Sequence, residues 1–240
     1  MSLTDPGRVS VPAQATGAAS AAAAPDAAHT RTDTVRDAVH AGACVLSGVL
    51  VTIGFAVSRG IGEGDGPDMI ASVAADANRF YAGNLVAAVG LALIAAVGLA
   101  VLRLVRGRAR VLATVGGVLV MVGAVAAAAG NVMFGAVVSV LAETLDAPQA
   151  AAAEEALADS ARTGITFIVG FPGTFLGLLL CAIALLVSRA TPRWVPVALI
   201  AGIALVLSVG QTDAAVLGDV VLTAGLAGVG LSLWKAVRPG

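Results

Sequence analysis

One carboxylate, Asp219, stands inside the otherwise apolar stretch AVLGDVVLTAG, and two amides, Asn84 and Asn131, lie in equally greasy surroundings. Carboxylates and amides inside an apolar bundle are the usual raw material of an ion, proton or solute pathway, because burying them is costly unless they bind something. Asp219 therefore has to find a hydrogen-bond donor, reach a water-filled crevice or take up a proton. These three residues form a candidate polar site. Pro172 is a candidate kink beside it, since proline removes one backbone hydrogen bond from a helix interior.

Other reactive groups are scarce. The two histidines are His29, near the N-terminus, and His40, at the start of an apolar run. Haem held by two histidines inside a bundle is excluded, and no metal site is expected. Cys44 and Cys181 fall at similar depths, about 9 to 11 Å from the ends of their segments at helical rise. That depth permits contact, but buried thiols beside a reducing compartment are usually packing residues. Glu63, Asp65 and Asp68 sit in a glycine-rich loop, yet lack the carboxylate spacing and downstream glutamate of a calcium loop. There is no Gly-x-Ser-x-Gly elbow, phosphate-cradling loop or His-Glu-x-x-His run. Intramembrane proteolysis needs a serine with a histidine or lysine, or two aspartates on separate helices, and the apolar interior offers one aspartate and no lysine. The expectation is a protein that is not an enzyme and carries no cofactor.

The elements that must position these residues follow from composition. Hydrophobic residues make up 58% of the 240 residues and charged residues 12%, against roughly 25% charged in an ordinary soluble domain. Intervals without charge recur at about the 20-residue length of a membrane-spanning helix. They predict six transmembrane helices, near 38–58, 82–104, 111–138, 163–188, 194–211 and 214–234, in an all-α polytopic bundle occupying 35–240. Outer loops are expected at 59–81 and 139–162. Residues 1–34, rich in Ala, Pro and Thr, read as a disordered cytoplasmic tail, because small and polar side chains bury too little area to offset chain entropy.

Charge sets the orientation. Arg103, Arg106, Arg108 and Arg110 crowd the link after the second helix, Arg189 and Arg193 the link after the fourth, and Lys235 follows the sixth. The other loops are acidic, with Glu63, Asp65, Asp68 and Asp76 in one and Glu143, Asp146, Glu154, Glu155 and Asp159 in the next. Short basic loops stay in the cytoplasm, so both termini are expected there. The basic residues, with Trp194 and Trp234 beside them, are read as topology signals and lipid-headgroup anchors on the inner face. A nucleic-acid site would need a larger basic domain, and none is expected.

Local signals refine this layout. "MIASVAADANRF" predicts a short helix in the first outer loop, and Asp146 followed by Gln149 resembles a capping box opening a second. The third apolar segment runs without charge from Val111 to Ala142, about 48 Å as helix, which exceeds the roughly 30 Å hydrocarbon layer. It must tilt, bend or protrude, with "AGNVMFG" the natural place to bend. Gly173 with Gly177, and Ala126 with Gly130, are small-residue pairs read as packing faces within the chain. No internal repeat is visible.

The segment LLVSRATPRWVPVALIAG, with Pro192, Arg193 and Trp194 at its centre, resembles uncharacterised six-helix membrane proteins common in high-GC actinobacteria. That resemblance implies a bacterial plasma membrane and transfers no functional residues. The leading expectation is a multi-pass cell-membrane protein that acts as a non-enzymatic subunit, scaffold or sensor. Its partners would be the lipid bilayer and a membrane protein or a second copy of itself. The alternative is a small transporter or permease with an outward-facing crevice around Asp219, and a third reading is a lipid-modifying enzyme at the outer interface.

Overall fold

A chain segment without charge and without water around it can satisfy its backbone N–H and C=O groups only internally, and the helix does so locally. The computed structural model, which describes residues 26–62, 64, 66–209 and 213–237, is accordingly helical, with no strand among the described residues. Its elements are α1 (Asp26–Ser58), α2 (Pro67–Ala75), α3 (Ala77–Leu104), α4 (Arg110–Thr144), α5 (Ala147–Ala158), α6 (Ala161–Ser188), α7 (Trp194–Val209) and α8 (Asp213–Val237). A single 3-10 turn, Gly107–Ala109, joins α3 to α4. The tail up to residue 25, the loop carboxylates Glu63 and Asp65, and the 210–212 link lie outside the described residues. The first turns of α1 fall within residues assigned to the tail from sequence.

Among the described residues five helices, α1, α3, α4, α6 and α8, are long and apolar enough to cross a membrane. The expected span at 194–211 is α7, a 16-residue helix that is apolar but shorter. At ~1.5 Å per residue it covers about 24 Å. Large apolar side chains point outward along these helices, among them Val111, Val115, Val118, Val122 and Val125 on one stripe of α4. A stripe of that kind is a liability in water and is at ease against acyl chains. The chain is built as a multi-pass membrane protein.

The helices pack in the order α6, α4, α3, α1, α8, α7, and α7 comes back against α6 to close the ring. Small residues set the contacts. A Cβ on Gly90 of α3 would stand 2.6 Å from the Val51 nitrogen of α1, and one on Gly54 would stand 2.4 Å from the Ala87 nitrogen. Gly116, Gly123, Gly170 and Gly177 do the same between α4 and α6, and Gly202, Gly218 and Gly225 between α7 and α8. Without a hydrophobic force between helices in lipid, such backbone proximity supplies much of the association energy. Gly173 and Gly177 face α4 inside the chain, as their spacing suggested.

These contacts also fix direction. Gly54 lies by Ala87, Gly98 by Gly117, Gly177 by Val120, Gly202 by Leu222 and Gly230 by Ala41, so every neighbouring pair in this series is antiparallel. One end of the bundle therefore gathers the start of α1, the α3–α4 turn, the α6–α7 link and the end of α8. The opposite end carries α2 and α5.

That opposite end has its own small core. Ile70 and Val73 of α2, Ala77 and Phe80 of α3, Val138 and Ala142 of α4 and Ala150 of α5 are buried together, with the Phe80 and Phe134 rings edge to face at 5.9 Å. Asp146 caps α5 by accepting from the Gln149 N–H at 3.0 Å, as its spacing predicts. The excess length of α4, a 35-residue helix, is absorbed here, because its last turns are covered by α2 and α5. α2 thus covers α3 and α4 and buries its apolar side chains, and α5 packs on α2 and α4.

Candidate functional site

Asn84 and Asn131, both 6% exposed, meet on the seam between α3 and α4. The antiparallel register brings them together, and Gly135, one turn beyond Asn131, leaves room for the Asn84 side chain, whose Cβ lies 2.6 Å from where a Gly135 Cβ would be. Asn131 donates its amide to the Asn84 carbonyl oxygen at 2.8 Å. Asn84 donates its own amide to the Phe80 carbonyl at 3.0 Å. One turn beyond Gly135, the Ser139 hydroxyl lies 2.7 Å from the Gly135 carbonyl oxygen and 3.3 Å from that of Ala77, and its single proton serves the nearer. Each of these hydrogen bonds runs to a backbone carbonyl, so the cluster works as a polar fastener between α3 and α4.

Asp219 lies elsewhere, half-buried on α8, whose principal neighbours are α7 and α1. No hydrogen bond joins its side chain to Asn84, Asn131 or any other described residue. One turn inward on the same face, Thr223 shares a hydrogen bond with Thr52 of α1, Oγ1 to Oγ1 at 3.1 Å. Gly48 of α1 makes room for Thr223, with 2.9 Å between its would-be Cβ and the Thr223 Cα. Asp219 thus stands above a second polar fastener, between α1 and α8. Sequence reading singled out the carboxylate and passed over Thr52 and Thr223, whose signal was two hydroxyls in facing apolar runs.

Pro172 sits within α6, which continues as one helix through it. Close by, the Thr174 hydroxyl donates to the Gly170 carbonyl at 2.7 Å. Cys44 and Cys181 are both fully buried and unpaired. Cys44 lies on α1 against Gly230 of α8, and Cys181 on α6 against Gly116 of α4. Among the described residues α1 and α6 share no contact, which places the two thiols beyond the reach of a disulfide.

The basic end holds more structure than a row of anchors. Arg103, in the last turn of α3, pairs its guanidinium with the carboxylate of Asp37 on α1. The pair is largely withdrawn from solvent, with the Arg103 side chain 27% and the Asp37 side chain 16% exposed. A pocket of about 430 Å³ opens beside it, lined also by Arg36, Arg106 and Arg110 over Leu102 and Val105. Arg108 is exposed and does not line it. Trp194 reaches Gly228 of α8 at the same end, where Arg189, Arg193, Trp234 and Lys235 also lie by the helix register. Asp37 was legible only as the charge that opens the first apolar interval, and its partner could not be read from sequence separation alone.

Among the described residues no group of three or more His, Cys, Asp or Glu side chains is placed to hold a metal. The family model described as Domain of unknown function (DUF4386) matches residues 40–237. No curated protein and no solved structure matches the chain.

Proposed function

The chain belongs to the DUF4386 family, and from that premise we propose, on its own residues, that it is a six-crossing membrane protein serving as a non-enzymatic subunit, scaffold or sensor. In this reading α7 crosses with α8, both termini are cytoplasmic, and the basic end faces the inner leaflet of a bacterial plasma membrane. A second membrane protein, or another copy of the chain, completes the assembly.

One observation carries the reading: the recorded side-chain hydrogen bonds of Asn84, Asn131 and Ser139 on α3 and α4 all run to backbone carbonyls. A transport path needs polar groups that exchange partners with a moving solute near the midplane, and groups committed to helix fastening do not. Gentle extraction and affinity capture of the intact protein is the test. A partner recovered at fixed stoichiometry is expected, whereas a monodisperse lone monomer under several mild detergents would count against the reading.

A second reading, a small permease, draws on Asp219, which is half-buried with no hydrogen-bond donor among the described residues. Here Asp219 lines an outward-facing crevice on the α1–α8 seam. Flux in proteoliposomes should then fall at least about tenfold in Asp219→Asn, a change worth ~1.4 kcal/mol in the barrier. Unchanged flux removes Asp219 from any such path.

A further inference from the structure

We propose that the pocket at the basic end of α1, α3 and α4 is a phosphate site, filled by the headgroup of an anionic phospholipid. This deepens the anchoring role suggested for the arginines of that link, because it assigns them unequal parts.

The first support is the charge of the lining. Arg36, Arg103, Arg106 and Arg110 converge on one pocket that holds a single carboxylate, Asp37. Asp37 is engaged with Arg103, so the pair fixes the wall between α1 and α3, and the phosphate is assigned to Arg106 and Arg110. Arginine forks match phosphate oxygens in pairs, which an ammonium group cannot do. The volume of about 430 Å³ lies within the ~300–1,000 Å³ range of small-ligand sites.

The second support is how the chain builds the pocket. α3 ends at Leu104, and Val105 and Arg106 turn extended, with Val105 at φ −88° and Arg106 at φ −125°. Gly107 then takes φ 71°, in the left-handed region that favours glycine. This reversal sets Arg106 and Arg110 on the same side of the turn as Arg103, while the intervening Arg108 is left outside the lining. Four arginines alternating along one short link would be equivalent as topology signals. The fold makes them inequivalent.

The third support identifies the source of the phosphate. The rim of the pocket continues into exposed apolar side chains on two helices, Val35 and Val39 on α1, and Val111, beside Arg110, on α4. A ligand with a phosphate at one end and acyl chains at the other matches this sequence of guanidinia followed by lipid-facing valines. Basic pockets between helix ends are a known way of holding anionic headgroups.

The test uses the full chain purified in detergent, with retained lipids counted by native mass spectrometry. Phosphatidylglycerol is the probe, phosphatidylcholine the zwitterionic competitor, and inorganic phosphate the soluble probe. Wild type should retain phosphatidylglycerol about tenfold better than phosphatidylcholine, and Arg106→Gln with Arg110→Gln should abolish that preference, the scale of one lost charge-assisted fork. Arg108→Gln with Arg193→Gln removes the same charge outside the pocket and should leave the preference intact. Arg106→Lys with Arg110→Lys keeps the topogenic charge, so a folded protein with weakened retention again supports the site. Binding of inorganic phosphate that depends on Arg106 and Arg110, without lipid preference, supports the phosphate site and assigns it to a soluble anion. Equal losses in the two glutamine pairs, or no lipid preference and no phosphate binding in wild type, would overturn the proposal.

Discussion

Asn131 illustrates what a single polar residue does in this bundle. Its amide ties α4 to the backbone of α3 at Asn84, and in a membrane such a bond contributes about 0.6 kcal/mol on average and up to about 1.7. Asn131→Leu keeps the bulk and removes the donor, so it should lower unfolding stability by about 1 kcal/mol, measured by denaturation in mixed micelles. Ser139→Ala should cost less, because the hydroxyl mainly bonds the Gly135 carbonyl of its own helix. A larger loss at Ser139 than at Asn131 would show that the interhelical bond is not the principal fastener. Asp219 contrasts with both amides, since no described residue offers it a donor, and its role is therefore read by flux and not by stability.

At the scale of elements, glycine decides how closely helices approach. A Cβ on Gly177 would meet the Val120 nitrogen at 2.5 Å and the Gly116 carbonyl oxygen at 2.8 Å, backbone atoms that cannot swing aside. Gly177→Val should therefore force α6 away from α4 and destabilise by about 2 kcal/mol or more, in the upper part of the overpacking range. Gly42 lies in α1 with nothing within 4 Å of its would-be Cβ. Gly42→Ala should be neutral or raise stability by up to about 1 kcal/mol through helix propensity alone. A parallel thermal-shift series on the two variants reads the difference, and equal behaviour would mean that the α4–α6 seam is not held by close approach.

At the scale of the whole molecule, antiparallel packing around the ring gathers the basic links at one end and the α2–α5 cap at the other. Together with the proposed cytoplasmic position of the basic end, this arrangement predicts labelling by a membrane-impermeant maleimide. Cys44 and Cys181 are fully buried, so new cysteines at exposed positions report cleanly. Ala152→Cys on α5 should react in intact cells, whereas Pro192→Cys in the α6–α7 link and Ala236→Cys near the end of α8 should react only after permeabilisation. Opposite behaviour of Pro192→Cys and Ala236→Cys would mean that α7 and α8 do not cross as a pair. Oxidation of the unlabelled protein should leave both native thiols free, because α1 and α6 share no contact among the described residues.

Much of this was readable along the chain. Charge-free intervals located the long helices, the Asp146–Gln149 spacing marked the start of α5, and the alternation of basic and acidic links anticipated two unlike ends. Those signals are local, since hydropathy, capping and charge act within a few residues of where they are written. The sequence alone left open the order of helices around the ring and the rotation of each about its axis, and both depend on which Gly and Ala faces let two backbones meet. Only the tertiary structure therefore decided that Asn131 bonds Asn84 while Asp219 stands apart, that Asp37 on α1 meets Arg103 on α3, and that Arg106 and Arg110 enter a pocket that Arg108 does not line. A helix turns its side chains through a full circle every ~3.6 residues, so depth in a membrane can be counted from sequence, whereas direction is settled by the neighbours that pack against it.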